Sequence, residues 1–269
     1  MLQTITTLQR DNIHIEKLRI MKNKIYIFVS VVFILAGCAN EGSKDVGLPQ
    51  QNAGVGGSLA RFTIANNSLY IVDGEDLHLY DISNPSNPQN KTKQHLGFGI
   101  ETVFPYKDAL FVGSQNGMYI FDISDPNKLK QLAIYSHITS CDPVVAQGNR
   151  AFVTLRSGTN CSVGANLLDV IDISNLAAPK FLKSYPMQNP HGLSIDGNDL
   201  FVCEGKFGMK QFDATNPDAL VEKKVFEEFF GYDVITLDKN LMVIGKDGLY
   251  QYDYSDADNV KFLSKIDVN

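Results

Sequence analysis

The chain has 269 residues, of which 44% are apolar and 20% are charged, and its formal net charge is −6 at pH 7. Gross disorder is excluded, because this composition supplies enough apolar material to bury a sizeable core. Residues 1–37 hold five basic and two acidic residues, so the rest of the chain carries a formal charge of −9. Such a surface repels phosphate backbones, and no stripe of Lys and Arg with interleaved aromatics offsets it. We therefore expect no nucleic-acid partner.

The N-terminal region has the layout of an export signal. Two lysines precede the apolar run 25–35, which has about the length of a signal-peptide core and is too short to span a bilayer comfortably. The run leads into Leu35-Ala36-Gly37-Cys38, which resembles a bacterial lipobox. We therefore predict a signal peptide over residues 1–37, with Met21 as an alternative start, and lipidation of Cys38 with cleavage by signal peptidase II. A plain membrane anchor with an incidental cysteine is the alternative.

Lipidation of Cys38 predicts where the protein resides. Several acyl chains on one cysteine anchor a protein stably, whereas a single chain is marginal. By analogy with sorting in enterobacteria, Ala39 rather than Asp after the lipidated cysteine favours the outer membrane, at its periplasmic face or at the cell surface. Residues 38–58 are rich in Gly, Asn, Gln and Ser, so we predict a lipidated flexible tether there and a folded domain over residues 59–269.

The folded region repeats itself. Five aspartates each follow an apolar residue and precede a short turn, and they are 41, 50, 41 and 40 residues apart. A regular period of this length indicates a repeat architecture. The five phrases are Tyr80-Asp81-Ile82-Ser83, Phe121-Asp122-Ile123-Ser124, Ile171-Asp172-Ile173-Ser174, Phe212-Asp213-Ala214-Thr215 and Tyr252-Asp253-Tyr254-Ser255.

The second repeat shows the layout of one unit. Apolar residues alternate with polar ones, which is typical of short β-strands, and the Asn-Gly and Asp-Gly pairs at 116–117 and 247–248 predict hairpins with positive φ. One four-stranded sheet cannot cover its own faces, so five such units predict an all-β fold, a five-bladed β-propeller of four-stranded antiparallel blades. The predicted strands of this unit are Ile100–Tyr106, Leu110–Ser114, Met118–Ile123 and Leu129–Tyr135.

Phrases within the repeats resemble the LVIVD repeat family. The clearest are Leu69-Tyr70-Ile71-Val72-Asp73, the run 168–175 and the run 81–88, and the likeness covers residues 59–269. The family consists of bacterial surface or periplasmic β-propeller proteins, usually without an assigned activity. The resemblance therefore implies a fold but no reaction and no cofactor.

The repeated aspartates have two interpretations. A catalytic or metal-binding array would require them to converge, but ring symmetry separates equivalent positions by a whole blade. An Asp before a turn commonly accepts hydrogen bonds from the turn backbone, so we favour a structural role and expect no metal site. The acidic run 253–258 is a further candidate, for calcium. It lacks the spacing and the glycine of an EF-hand, and solvated turn acids are the simpler interpretation.

The remaining cysteines lie in the repeats. The third repeat is the longest, and its excess residues, within 156–168, contain Cys161. Cys141 lies just before the first strand of the same blade, and both positions open on one face of a propeller. In an oxidising compartment this predicts a Cys141–Cys161 disulfide that closes a loop of about 20 residues. Two free thiols or half a metal site are the alternatives. Cys203, inside an apolar run, is predicted to be a buried free thiol.

The candidate binding site is the mouth of the central channel. The first strand of each blade is innermost, so its first residues surround the mouth, where propellers usually bind ligands. The simpler interpretation is a narrow channel plugged by water and by paired charges such as Arg61 with Asp142 or Glu101, and a binding site is the other interpretation. Alignment of the repeats gives the ligand-binding candidates Arg61, Glu101, Asp142, His191, Tyr232 and Asp233, and the loops after the second strands add Arg156, Asn160, Lys206 and Phe207.

Two functions fit these features. We favour a non-catalytic binding or scaffold module for a glycan, peptide or protein partner, because the chain lacks a nucleophile elbow, a phosphate-binding glycine loop, a dinucleotide fingerprint and paired zinc-ligand spacing. The alternative is a glycosidase-like enzyme in which Glu101, Asp142 and Asp233 are the acid, the base and the pKa-tuning carboxylate. It requires two of them about 5–10 Å apart across an open pocket. The absence of tryptophan weakens it, since aromatic platforms are common in sugar sites.

Overall fold

The computed structural model describes residues 57–268 except 116, 137–142 and 158–164. The predicted signal peptide and lipidation site, Cys38, lie outside the described residues. So do Asp142, Asn160 and the predicted Cys141–Cys161 pair. All described residues belong to one unit, Gln51–Asn269. Within them, no helix is long and apolar enough to cross a membrane.

Twenty strands form five four-stranded antiparallel sheets, and in every sheet the strands are neighbours in chain order. This confirms the predicted five-bladed β-propeller. Blades 1 and 2 contain β1 Phe62–Ala65, β2 Ser68–Val72, β3 Asp76–Asp81, β4 Gln89–His95, β5 Ile100–Tyr106, β6 Ala109–Ser114, β7 Gly117–Asp122 and β8 Lys130–Ser136. Blade 3 contains β9 Val144–Gln147, β10 Arg150–Leu155, β11 Leu167–Asp172 and β12 Lys180–Pro186. Blades 4 and 5 contain β13 Leu193–Asp196, β14 Asp199–Cys203, β15 Met209–Asp213, β16 Val221–Phe226, β17 Gly231–Leu237, β18 Asn240–Gly245, β19 Gly248–Asp253 and β20 Lys261–Asp267, with a 3-10 helix Pro217–Ala219 before β16.

The blades share the same local devices. The first two strands of blades 1, 2 and 5 are joined by turns with non-glycine residues in the left-handed region, such as Lys107 at φ +53° in the predicted Lys107-Asp108 turn. The third and fourth strands of every blade shift register directly before the repeated phrase, at Ile120/Phe121 in blade 2. Such a bulge bends the strand and increases its twist.

The repeated aspartates have the structural role that we favoured. Asp81 Oδ1 accepts hydrogen bonds from the Ser83 hydroxyl at 2.6 Å and from the Ser83 backbone N–H at 2.8 Å, and these two bonds are the main reason that the pKa of Asp81 is lowered to about 2. The same bond, from the residue two positions later, recurs in every blade with an oxygen to nitrogen distance of 2.8 or 2.9 Å. It joins Asp122 to Ser124, Asp172 to Ser174, Asp213 to Thr215 and Asp253 to Ser255.

The apolar cores lie between the blades. Alternating burial along the strands puts one face of each sheet against the next blade, and four clusters of buried residues join blades 1 to 2, 2 to 3, 3 to 4 and 4 to 5. Large aromatic side chains fill equivalent positions on the second strands of blades 1 to 4, namely Tyr70, Phe111, Phe152 and Phe201. Among the described residues, no fifth cluster joins blade 5 to blade 1.

One turn prediction is wrong. Gly117 has the expected positive φ, at +150°, but Gly248 does not. Glycine is nevertheless required at position 248, because a Cβ there would lie 2.5 Å from the carbonyl oxygen of Ile266 on β20. Glycine is therefore needed at position 248 because the neighbouring strand comes so close, and not because of its backbone conformation.

Candidate functional site

The mouth of the propeller lies where the first strands begin and the second strands end. His191 comes just before β13, and its backbone N–H donates to the carbonyl of Cys203 at the end of β14, with an N to O distance of 2.8 Å. The hydroxyl of Thr154, near the end of β10, donates to the His191 carbonyl at 2.7 Å. These two bonds hold the histidine backbone between blades 3 and 4.

The His191 imidazole is enclosed by side chains from three blades and is only 8% exposed. Its Nδ1 lies 2.7 Å from Nη1 of Arg156, which follows β10, and its Nε2 lies 3.2 Å from Nδ2 of Asn189. The rings of Phe230 and Tyr232 approach it edge-on, with centroid distances of 6.0 and 5.8 Å. The arrangement combines polar groups and aromatic rings, which is typical of ligand pockets.

Burial controls the charges in this pocket. Desolvation, and then the positive charge of Arg156, lower the pKa of His191 to about 4, so the imidazole is neutral at pH 7. Burial also lowers the pKa of Arg156, while the negative charge of Glu101 acts in the opposite direction. A guanidinium still ionises almost completely at pH 7. The mouth therefore presents a cation, a neutral imidazole and a nearby carboxylate.

Glu204 positions the loop in front of His191, a role that sequence reasoning missed. Its side chain is fully buried, and Oε2 accepts hydrogen bonds from the backbone N–H groups of Gln188 at 2.8 Å and Asn189 at 3.2 Å. Lys210 Nζ lies 3.9 Å from Oε1, and burial raises the pKa of the carboxyl group. A charged residue directly after the apolar run of β14 was the only sequence signal for it.

Asp233 is part of the wall and not of the open mouth. Its carboxyl group is 5% exposed and accepts hydrogen bonds from the Ser58 hydroxyl at 3.1 Å and from the backbone N–H groups of Leu59 and Val234 at 3.2 and 2.9 Å. Desolvation is the main reason that its pKa is raised to about 6. Cys203, beside it, is a buried free thiol, as predicted.

The structure brings together some of the predicted site residues. His191 and Tyr232 meet, and Arg156 joins them, whereas Asp233 is enclosed. The glycosidase-like alternative therefore loses one of its three carboxylates to a structural role. The predicted pairing of Arg61 with Glu101 is not found, because Arg61 is exposed and forms no ion pair with another described residue. On the loop after β14, Lys206 Nζ lies 4.9 Å from the centroid of the Phe207 ring.

One group of described residues has the composition of a metal site, although we expected no metal site from the sequence. Ligand atoms of Asp73, Asp76 and His78 lie within 4.8 Å of one another in blade 1. They also have protein partners, since His78 Nε2 is 2.7 Å from Asp73 Oδ2 and Lys93 Nζ is 2.7 Å from Asp76 Oδ2. Both carboxylates therefore already have protein partners, and only the one with Lys93 is a pair of opposite charges at any pH near neutrality.

Comparisons with known proteins agree with this geometry. The LVIVD repeat family model matches residues 56–93, 107–136 and 161–186, which lie in blades 1, 2 and 3. A comparison of the sequence with curated proteins gives no match.

Several solved structures share the fold at low identity. A functionally unknown protein from Desulfotomaculum acetoxidans has a TM-score of 0.60 and 14% identity, covering 76% of this chain and 67% of that one. A protein from Lactobacillus plantarum has a TM-score of 0.60 and 13% identity, with 75% and 68% covered. The periplasmic gluconolactonase of Pseudomonas aeruginosa has a TM-score of 0.56 and 16% identity, with 76% and 70% covered.

Other similar structures are longer, and this chain covers 60% to 64% of their length. Identities this low establish the fold alone. Strand order and structural similarity lead to one conclusion: the chain is a five-bladed β-propeller, and three of its segments match the LVIVD repeat model.

Proposed function

We propose that this protein is a lipid-anchored, extracytoplasmic binding protein that holds a glycan at the mouth of the propeller, around His191 and Arg156. The observation that carries the proposal is the enclosure of one neutral imidazole by a guanidinium, a side-chain amide and two aromatic rings. The equivalent ring positions hold Ala60, Glu101 and Tyr232, so the repeats have diverged at this place while keeping their strands.

The chemistry of the mouth matches that of a sugar. Neighbouring hydroxyl groups both donate and accept hydrogen bonds, so they can bridge the Arg156 guanidinium and the Glu101 carboxylate without displacing either charge. The apolar faces of a sugar ring pack against aromatic side chains, and Phe230 and Tyr232 supply them here. Low exposure strengthens each of these polar contacts relative to the same contact in water.

A binding screen tests the proposal. The purified protein is titrated with glycans, peptides and candidate partner proteins in a calorimeter, and we expect binding to a glycan. Arg156→Gln should weaken that binding at least tenfold. Arg150→Gln is the matched control, because Arg150 begins β10, Arg156 follows the end of the same strand, and the Arg150 guanidinium faces Asp172 and Asp218. Equal affinities of both variants, or binding of peptides only, would contradict the glycan site.

The anchoring part of the proposal has its own test. The lipobox at Leu35-Ala36-Gly37-Cys38 and the apolar run before it support export and lipidation. Metabolic labelling with an alkyne fatty acid should mark the wild-type protein and leave Cys38→Ser unmarked. Density fractionation should place the protein with the outer membrane. Label on Cys38→Ser, or wild-type protein in the cytosolic fraction, would overturn this part and leave the binding site untouched.

A further inference from the structure

Carboxylates and imidazoles are clustered at one corner of blade 1. Asp73 lies in the turn after β2, Asp76 and His78 lie on β3, and His95 ends β4. Ligand atoms of the first three lie within 4.8 Å of one another. Because the residues that alternate with Asp76 and His78 on β3 pack in the core with blade 2, these two side chains project from the opposite face of the blade.

Blade 1 departs from the repeat at the centre of this cluster. Asp76 lies five residues before the repeated aspartate, where blades 2, 4 and 5 have Gly117, Gly208 and Gly248. A Cβ on any of these glycines would collide with a carbonyl oxygen of the fourth strand. In blade 1 the same position holds a carboxylate that is only 9% exposed. Blade 1 therefore has room for a buried acidic side chain that the fold of a blade does not require.

Local structure fixes the two carboxylates. The backbone N–H of Asp76 donates to Asp73 Oδ1 at 3.0 Å across a turn in which Gly74 has a φ of +102°. Asp73 Oδ2 is directed at His78 Nε2, at 2.7 Å. Asp76 Oδ1 lies 3.0 Å from His95 Nδ1, so this second imidazole orients the buried carboxylate. Two carboxylates and one imidazole are thus held facing one another.

Lys93 is the group that a bound ion would displace. Its Nζ lies 2.7 Å from Asp76 Oδ2, and its side chain is 56% exposed. An ion pair with an exposed lysine contributes little to stability, so the ammonium group can move into solvent at low cost. A divalent ion has twice the charge of the ammonium group and contacts both carboxylates at once, which favours the exchange.

The ligand set selects the kind of ion. Carboxylate oxygen together with imidazole nitrogen suits zinc, whereas calcium takes six to eight oxygen ligands and magnesium keeps a shell of oxygens. Ligand atoms of a tetrahedral zinc site are about 3.3 Å apart, because each lies about 2.0–2.1 Å from the ion. The present separations, from 2.7 Å for His78 and Asp73 to at most 4.8 Å within the group, bracket this value.

We propose that Asp73, Asp76 and His78 bind one zinc ion. His95 is a positioning residue that holds the Asp76 carboxylate. Three protein ligands leave one tetrahedral position for water or for a group of another molecule, so this ion exchanges more readily than one in a closed structural site. The zinc site shares no residue with the mouth of the propeller and does not depend on the function proposed for it.

Calorimetric titration of the purified full chain with zinc chloride tests the proposal. The wild type should bind an ion whose affinity falls at least tenfold in His78→Ala. Asp247→Asn is the matched control, because Asp247 lies in the corresponding turn of blade 5 and contacts Lys265 and Tyr250 but no imidazole. This control should bind zinc as the wild type does. No binding to the wild type, or equal affinities of the wild type and His78→Ala, would overturn the site.

Lys93→Gln tests the displacement directly. Removal of the competing ammonium group should raise the affinity for zinc by at least threefold, although the substitution removes an ion pair from the protein alone. A role of the cluster in stability only does not predict this gain. Unchanged or weaker zinc binding in Lys93→Gln would overturn the proposed geometry.

Histidine NMR gives a reading on the unaltered chain, which does not depend on the folding of a variant. Zinc should shift the resonances of His78 and leave those of His191 in place, and calcium at the same concentration should shift neither. Zinc shifts at His191 without shifts at His78, or an equal response to calcium, would overturn the assignment.

Discussion

The carboxyl group of Asp233 fills the space that a side chain at position 192 would need. A Cβ on Gly192 would overlap Oδ1 of Asp233, and it would also lie 2.9 Å from the Asp233 Cα. The backbone N–H of Gly192 donates to the carbonyl of Tyr232 at 2.9 Å, so the two first strands of blades 4 and 5 cannot separate easily. This contact fixes the spacing of the strands that carry His191 and Tyr232.

Gly192→Ala should therefore destabilise the protein by roughly 2–3 kcal/mol in urea unfolding, since the added methyl group overpacks a buried junction. Gly197→Ala is the control. The φ of Gly197 is +60°, but nothing lies within 4 Å of an added Cβ. The left-handed backbone alone should therefore lower the unfolding free energy of Gly197→Ala, by about 1 kcal/mol. If Gly192→Ala costs no more than Gly197→Ala, the strand spacing does not depend on this contact.

Asp233 should give the stability a distinctive pH dependence. Its pKa in the folded protein is raised to about 6 from 3.8, so the folded state binds the proton more tightly than the unfolded state. The contribution of Asp233 is therefore greatest at low pH and is lost as pH rises from about 4 to about 6. Unfolding free energies measured at several pH values should show a smaller fall over this window in Asp233→Asn than in the wild type. Parallel curves would mean that Asp233 titrates normally.

The repeated aspartates should make the stability depend on pH in the direction opposite to that of Asp233. Hydrogen bonds lower the pKa of Asp122 in the folded state, so its stabilisation is present above the unfolded value of 3.8 and is lost as pH falls below it. Asp122→Ala should lower Tm at pH 7, and the difference from the wild type should shrink towards pH 2. Asp108→Ala, an exposed aspartate of the nearby hairpin turn, should leave Tm unchanged. An equal fall in Tm in both variants would contradict the structural role of the repeated aspartates.

The Cys141–Cys161 disulfide stays a prediction. Closing a loop of about 20 residues should stabilise the protein by roughly 3 kcal/mol, so Cys141→Ser and Cys161→Ser should each lower the unfolding free energy by that amount. The wild type should show the same loss with reductant, and the variants should not respond to it. Alkylation of both cysteines in the unreduced protein would show that they are free.

Much of the fold was predictable from local pattern. In blade 2 the predicted second strand Leu110–Ser114 differs by one residue from Ala109–Ser114, because alternation and turn residues determine such bounds. Ring alignment also placed His191 and Tyr232 at equivalent positions around the mouth. Non-local contacts were not predictable. Ser58 binds Asp233 across 175 residues of sequence, and its own surroundings have the composition of a linker. The same holds for Asn189 and Phe230, which reach His191 from turns without a repeated pattern.

The most direct test of the binding site is the ¹³C and ¹H NMR spectrum of the protein labelled at histidine. Without ligand, the His191 imidazole should titrate with a pKa of about 4, and Arg156→Gln should raise that value because a nearby positive charge is removed. Addition of the bound glycan should shift the His191 resonance and leave His78 and His95, both in blade 1, unchanged. A pKa near 6.5 for His191, or ligand shifts at His78 and His95 without one at His191, would contradict the site.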